Sequence, residues 1–378
     1  MLWDVFCRVI DNFGDIGVCW RLCRDLADRG HTVRLWVDDA CALNWMAPEE
    51  SRPAAISVLD WVDAQDMRYL DQQGRPVEVT PGEVVIEAFG CNPPDAFVAA
   101  MLLREDAPKW INLEYLSAED WVERCHALPS PVFNGPGVGL TKWFYYPGFT
   151  RATGGLLREP GLLAERAAFT QSASAKANWL RQLDAAPLAD GERLVSVFCY
   201  DHAPMASLLD QLAAAPTPYR VMLTPGPASQ LAQAWQDGRA DTGAVHLHYL
   251  PHLPQTAFDK LLWACDLNLV RGEDSAVRAI WADRPHIWNI YPQDDGVHAY
   301  KLDAFLERWT AHWPPDLQSR LTRVWKAWNA LGPANDLQDL ISLLDDPRWV
   351  EFGHQSVKTL AEMPDLVTQL DDFVTQSS

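Results

Sequence analysis

The sequence predicts an α/β protein made of two parallel, doubly wound units in tandem, and three observations carry that prediction. An apolar run over residues 2–10 stops at a Gly-bearing turn, DNFGDIG at 11–17. A helical pattern (Val18, Trp20, Leu22, Leu26) and a second apolar run over 32–37 follow it. The same succession of strand, turn and helix begins again at residue 193. The chain has 378 residues, more than one hydrophobic core ordinarily serves, so two domains are expected.

In the first series, residues 56–61 read as a short strand and 84–89 as a buried one closed by the turn 90–94. Residues 95–104 read as a helix and 109–116 as a strand ending in polar groups. Doubly wound sheets take ligands beyond the carboxyl ends of their strands. Glu87, Gly90, Asn112, Glu114 and Tyr115 are therefore expected near any site in the first turn. Residues 129–155 are rich in Pro, Gly and aromatics without a clean period, which predicts a functional loop or an irregular sheet edge. One helix is expected over 159–183, and the linker AAPLADG at 185–191 divides the chain into domains 1–184 and 185–346. In the second series, strands at 193–200, 219–224, 245–250, 265–270 and 285–290 alternate with helices at 206–214, 228–236, 256–263 and 276–282. The tail reads as helices over 301–313, 315–330, 335–344 and 347–374.

Composition narrows the function classes. A formal net charge of −20 argues against non-specific nucleic-acid binding and against an anionic membrane surface; it would suit a cationic partner, although simple acidity of a cytosolic protein is the plainer reading. No apolar stretch approaches the roughly 20 residues of a membrane span. No basic segment precedes the first apolar run, so no signal peptide is expected. The eight cysteines form no Cys-x-x-Cys pair and no Cys/His cluster at zinc spacing, which predicts a reduced, cytoplasmic protein and no metal. The eighteen tryptophans sit mostly in apolar runs and read as packing.

Two constellations stand between a strand and a helix. In the first, Asp11 and Asp15 flank Phe13-Gly14, and Gly14 and Gly17 permit close backbone approach or positive φ. Each aspartate is also a good helix N-cap or dipole partner, so either alone is unremarkable; together at the first strand end they mark a candidate site. The turn is not GxGxxG, and Asp15 stands where a phosphate cradle wants a small neutral residue. A dehydrogenase-type dinucleotide fingerprint is therefore disfavoured. In the second, Arg271-Gly272-Glu273-Asp274-Ser275, followed by Arg278, opens a helix in the second half. Arg271 and the helix N-terminus suit an anion, Ser275 a phosphate or a cap, and Glu273 sugar hydroxyls. A capped helix with a surface ion pair is the plainer alternative. Tyr200 and Phe258 can stack on a base, and Gln255 offers an amide beside them, although singly each aromatic reads as core.

With these residues in view, the chain resembles the EarP-type protein-arginine rhamnosyltransferases. The resemblance rests on VIDNFGDIGVCWRL at 9–22, NLEYLSAE at 112–119, FDKLL at 258–262, RGEDSAVRA at 271–279 and IYPQD at 290–294, in the right order. It implies a GT-B glycosyltransferase fold: two Rossmann-like domains with a cleft between them, and a C-terminal helix, 347–378, completing the N-terminal one. It implies inverting transfer of rhamnose from dTDP-β-L-rhamnose to an arginine guanidinium of translation elongation factor P, with no cofactor or metal. The family's general base matches Asp15 and its second essential acid Asp11; both, with Glu114, are assigned to the acceptor. Its donor-binding residues match Tyr200, Gln255, Phe258, Arg271, Glu273, Asp274 and Ser275, to which Phe13 and Gly14 are added. A non-catalytic nucleotide-sugar or protein-binding module on the same fold is the alternative, and it has no need of Asp11 and Asp15 together.

Overall fold

The first-half strands are near-continuous apolar runs because both faces of their sheet are covered. In the computed structural model, which describes residues 1–10, 13–71, 73–293 and 295–376, the chain divides into two units. Unit 1 is Met1–Pro160 with Met363–Ser378, and unit 2 is Gly161–Glu362.

Unit 1 holds β1 (Leu2–Cys7), β2 (Thr32–Val37), β3 (Ile56–Asp60), β4 (Val84–Ala88), β5 (Lys109–Leu113), β6 (Leu128–Pro131) and β7 (Thr141–Tyr145). They form one sheet in the order β3-β2-β1-β4-β5-β7-β6. All neighbours are parallel except β6, which runs antiparallel to β7. Trp3, Val5 and Cys7 face one core with Ile86, Ile111 and the helix α1 (Gly14–Asp28). Phe6 faces the other with Trp36, Val85 and Trp110. Asp4 lies buried inside this sheet and accepts two bonds from Arg34 (2.7 and 2.8 Å), one from Trp36 Nε1 (2.7 Å) and one from the Gly82 N–H (2.7 Å). Four donors satisfy the buried carboxylate, the condition for keeping it there.

Several expectations change. Within the stretch 129–155, expected to be a loop or an irregular edge, β6 and β7 form a regular antiparallel edge pair. The expected helix 347–374 is two, Pro347–Ala361 and Leu366–Gln376, with Pro364 between them, where the ring removes a backbone donor. Only the second belongs to unit 1. It buries Leu366, Val367, Leu370 and Val374 in the core shared with α1. Arg29, just past α1, ties it down through Asp365 (2.7 Å) and Thr368 (2.7 Å).

Unit 2 repeats the plan with β8 (Arg193–Val197), β9 (Tyr219–Leu223), β10 (Val245–Tyr249), β11 (Leu267–Arg271) and β12 (His286–Asn289). All are parallel, in the order β10-β9-β8-β11-β12. The expected helix 159–183 is also two, Leu162–Gln171 and Ala173–Gln182, interrupted at Ser172, whose hydroxyl caps the second by accepting the Ala175 N–H (3.2 Å). Both lie in unit 2, so the boundary falls at 160/161 and not at 184/185. The first is held there by Arg166, which donates to the Trp281 carbonyl (2.9 Å) and pairs with Asp283 (3.2 Å). Phe169 packs against Trp263 as well. Trp281, Trp325 and Trp328 are fully buried, in line with the packing role read for the tryptophans. Among the described residues, no helix is long and apolar enough to cross a membrane.

Candidate active site

Each sheet has one place where adjacent strands send their connections to opposite sides: β1/β4 in unit 1 and β8/β11 in unit 2. Such switch points open a crevice beyond the strand ends. The described residues of both sequence constellations lie there.

In unit 1, β1 ends at Cys7, shorter than the expected 2–10, so residues 8–10 belong to the loop that leads toward α1. Asp15, in the first turn of α1, is only 3% exposed. Its Oδ2 accepts the Ile10 N–H at 2.8 Å, and the Tyr115 hydroxyl lies 3.4 Å from Oδ1. The carboxylate is thus held from the loop before it and from the segment after β5. Asp11 lies outside the described residues, as does Asp294 of the fifth motif. Phe13 precedes α1 and sets its ring edge-on to Trp45 (5.1 Å) against the core. Gly14 and Gly17 are helical residues of α1 and not positive-φ positions, which removes one of the two uses expected of them. The left-handed backbone occurs instead after β4, at Phe89 (φ 57°), Gly90 (φ 67°) and Asn92 (φ 49°).

That second loop is tied to the end of β5. The Gly90 N–H donates to Asn112 Oδ1 (3.0 Å), and Asn112 Nδ2 donates to Glu114 Oε1 (2.6 Å). Phe89 and Tyr115 stack at 4.3 Å with 12° between their planes. Gly90, Asn112, Glu114 and Tyr115 therefore form one linked group, joined to Asp15 through Tyr115. Glu87 does not join it. Its side chain is buried against Lys142 Nζ (2.6 Å) and Trp110 Nε1 (3.1 Å), on the Trp110 side of the sheet, and burial raises its pKa. It serves as a buried ion pair, correcting its expected place near the site.

In unit 2, Arg271 closes β11, Gly272 follows, and the helix α3 (Glu273–Ala282) starts at once. Gly272 takes φ 70° and ψ 170°, a conformation essentially reserved for glycine. It bends the chain so that the first helical turn starts directly beyond the strand. Arg271 is 8% exposed, and its guanidinium carbon lies 4.6 Å from the ring centres of both Phe198 and Tyr200. Among the described residues, no carboxylate pairs with it. A buried cation against two rings, beside a helix N-terminus, has the charge and the donor geometry that an anion would use.

The neighbours are polar and aromatic. Ser275 is buried in the first turn of α3, Glu273 and Asp274 are half-buried, and Gln255 Nε2 reaches Asp274 Oδ2 at 3.5 Å. Phe258 packs edge-on to Phe198 (5.9 Å) and remains half-buried. The Tyr200 backbone is fixed by Asn289 (2.8 Å), and the Tyr200 ring meets Tyr291, itself 52% exposed, at 5.4 Å. Phe198 and Asn289 were not foreseen; the only sequence signal for Phe198 was an aromatic two residues before Tyr200 at a strand end. Arg278 makes a bidentate, buried pair with Asp259 (2.9 and 2.7 Å). Among the described residues, no group of three or more His, Cys, Asp or Glu side chains is placed to hold a metal ion.

Residues 3–375 match the family model of the elongation-factor P (EF-P) rhamnosyltransferase EarP. A protein-arginine rhamnosyltransferase of Pseudomonas putida is 46% identical over 335 residues, covering 86% of each chain. That of Pseudomonas aeruginosa is 42% identical over 381 residues, covering 98% of each. A solved structure of EarP-mediated arginine glycosylation of EF-P superposes with a TM-score of 0.68 at 30% identity, covering 100% of this chain and 99% of the other. Two Rossmann-like units of this kind make a GT-B glycosyltransferase fold.

Proposed function

The chain belongs to the EarP family of protein-arginine rhamnosyltransferases, and we propose that it moves L-rhamnose from dTDP-β-L-rhamnose to an arginine guanidinium nitrogen of elongation factor P with inversion. The observation that carries this reading is the opposite chemistry of the two switch points. One holds a buried carboxylate, Asp15; the other a buried arginine, Arg271, for which no carboxylate partner is found among the described residues. A cationic acceptor suits the first and a diphosphate the second.

Free guanidinium has a pKa above about 12, so a carboxylate does not deprotonate it in the ground state. In this reading Asp15 instead binds and polarises the cation. The nitrogen attacks C1 of rhamnose on the face opposite dTDP, and the C1–O bond breaks with its electron pair passing to the β-phosphate. The N–H proton passes to Asp15 as the C–N bond forms. One displacement turns the β-donor into an α-linked product, and no protein nucleophile is called for. Arg271 and the α3 N–H groups carry the charge that grows on the leaving phosphate, so no metal is invoked. Tyr200, Gln255, Phe258, Glu273, Asp274 and Ser275 are assigned to the rest of the donor. The assignment also includes Phe13 and Gly14 on the donor, and Asp11 and Glu114 on the acceptor. The proposed place of work is the cytoplasm, where translation runs.

Intact-mass analysis of elongation factor P after incubation with this protein and dTDP-rhamnose tests the proposal. One added deoxyhexose is the expected result; an unchanged mass would overturn it.

A further inference from the structure

Beyond the assigned groups, unit 1 puts an aromatic pair against Asp15. Tyr115 lies flat on Phe89 at 4.3 Å and 12°, its hydroxyl is 3.4 Å from Asp15 Oδ1, and 36% of it is exposed. Phe89 holds this position at φ 57°, which a bulky L-residue seldom adopts. The turn is pinned by the Gly90 N–H on Asn112 and by the Phe89 N–H on the Leu113 carbonyl (2.7 Å). Strain of this kind persists where the surroundings over-determine it, and here the surroundings aim one ring under another.

We propose that Tyr115 is the residue that recognises the acceptor's guanidinium: its ring, backed by Phe89, takes the flat cation while its hydroxyl steadies Asp15. The proposal rests on the rhamnosyltransferase reading and adds what selects the acceptor's chemistry. A planar, weakly hydrated guanidinium stacks on a ring and keeps its N–H groups directed outward in its own plane, toward the adjoining carboxylate. A compact, strongly hydrated ammonium gains less from the same surface. The 3.4 Å contact is longer than the ordinary O–H···O range. It has room to tighten when the cation arrives, as contacts at catalytic groups commonly do.

The test uses the full chain carrying Tyr115→Leu or Tyr115→Phe, with transfer to elongation factor P followed by mass while donor and acceptor are varied in turn. Tyr115→Leu should raise the acceptor KM roughly tenfold and leave the donor KM unchanged. It should also narrow the preference for binding the natural factor over one whose target arginine is replaced by lysine. Tyr115→Phe keeps the ring, so the acceptor KM should hold while kcat falls several-fold. An unchanged acceptor KM in Tyr115→Leu, or an equal rise in the donor KM, overturns the proposal. Stabilisation by dTDP checks the fold of each variant. If Tyr115→Leu fails to fold, Tyr115→Phe decides alone, and kcat and KM both at the unaltered values overturn the idea. The two readings fail differently: without deoxyhexose on the factor the unaltered chain loses the parent function, whereas an active chain indifferent to Tyr115→Leu loses only this one.

Discussion

The switch points of the two units have the same topology and opposite electrostatics. In both, a strand order of the 3-2-1-4-5 type opens a crevice beside the first strand. Unit 1 fills it with a carboxylate held by a loop N–H and a tyrosine, on a helix that starts with ordinary geometry. Unit 2 fills it with an arginine clamped between rings and a glycine bent into a conformation few residues tolerate. Topology gives the two crevices the same place; the residues at each turn give them opposite charge.

The strongest test of that contrast is Asp15→Asn. Transfer should fall about 10³-fold, within the range for losing a general base, while stabilisation by dTDP persists because the anion site belongs to unit 2. A rate within tenfold of normal would end the role given to Asp15.

Away from the sites, unit 2 carries an acid-sensitive group. His286 is 3% exposed between Trp309 and Trp325, its Nε2 has no partner among the described residues, and burial lowers its pKa to about 4. The unfolded chain takes up this proton near pH 6.5 and the folded one only near 4. Stability from this group is therefore complete above pH 6.5 and is lost as pH falls toward 4, by on the order of 3 kcal/mol. Urea unfolding at pH 7.5 and 5 should show a smaller difference in His286→Phe than in the unaltered chain. An equal difference would rule out His286 as the source.

Arg271→Lys keeps the charge and loses the planar fork between Phe198 and Tyr200. We expect dTDP binding to weaken by about 2 kcal/mol, roughly thirtyfold, with the acceptor KM unchanged. Calorimetric titration showing full affinity would mean that charge alone holds the phosphate. The smallest effect is expected at Gly272. An added Cβ has space, its nearest contact being the Tyr200 hydroxyl at 3.9 Å, so the cost of Gly272→Ala is backbone strain, about 1–2 kcal/mol. A melting temperature equal to the unaltered chain's would show that this turn relaxes.

Both site turns were legible because a strand that ends at charged residues and a glycine leaves a local signature. The second turn was the clearer of the two: Arg271, Glu273 and Ser275 stand at the strand end and in the first helical turn, where the sequence puts them. Glu87 misled because strand position gives a distance along the sheet but not a face, and its face looks toward Lys142 and Trp110. The stack of Phe89 on Tyr115 was invisible, since it needs a left-handed residue that no glycine announces. The edge pair β6/β7 was hidden by Pro129 and Pro131, which an edge strand tolerates and a central one does not. The unit boundary moved because a low-complexity linker is a weaker sign than side-chain attachment: Arg166 and Phe169 bind their helix to unit 2 long before the chain reaches AAPLADG.

The chain leaves unit 1 at Pro160 and re-enters it at Met363, and the returning helix supplies Leu366, Val367, Leu370 and Val374 to the core beneath α1. Synthesis therefore delivers the two units out of step. Unit 2 is continuous and has all its residues once Glu362 is made, whereas unit 1, begun first, waits with an unfilled core until the ribosome has passed through all of unit 2. The segment that bears Asp15 is thus made well before the helix that completes its core. A chain stopped after Glu362 should yield unit 2 resistant to protease and unit 1 digested; equal resistance of both would show that α1 settles without its late partner.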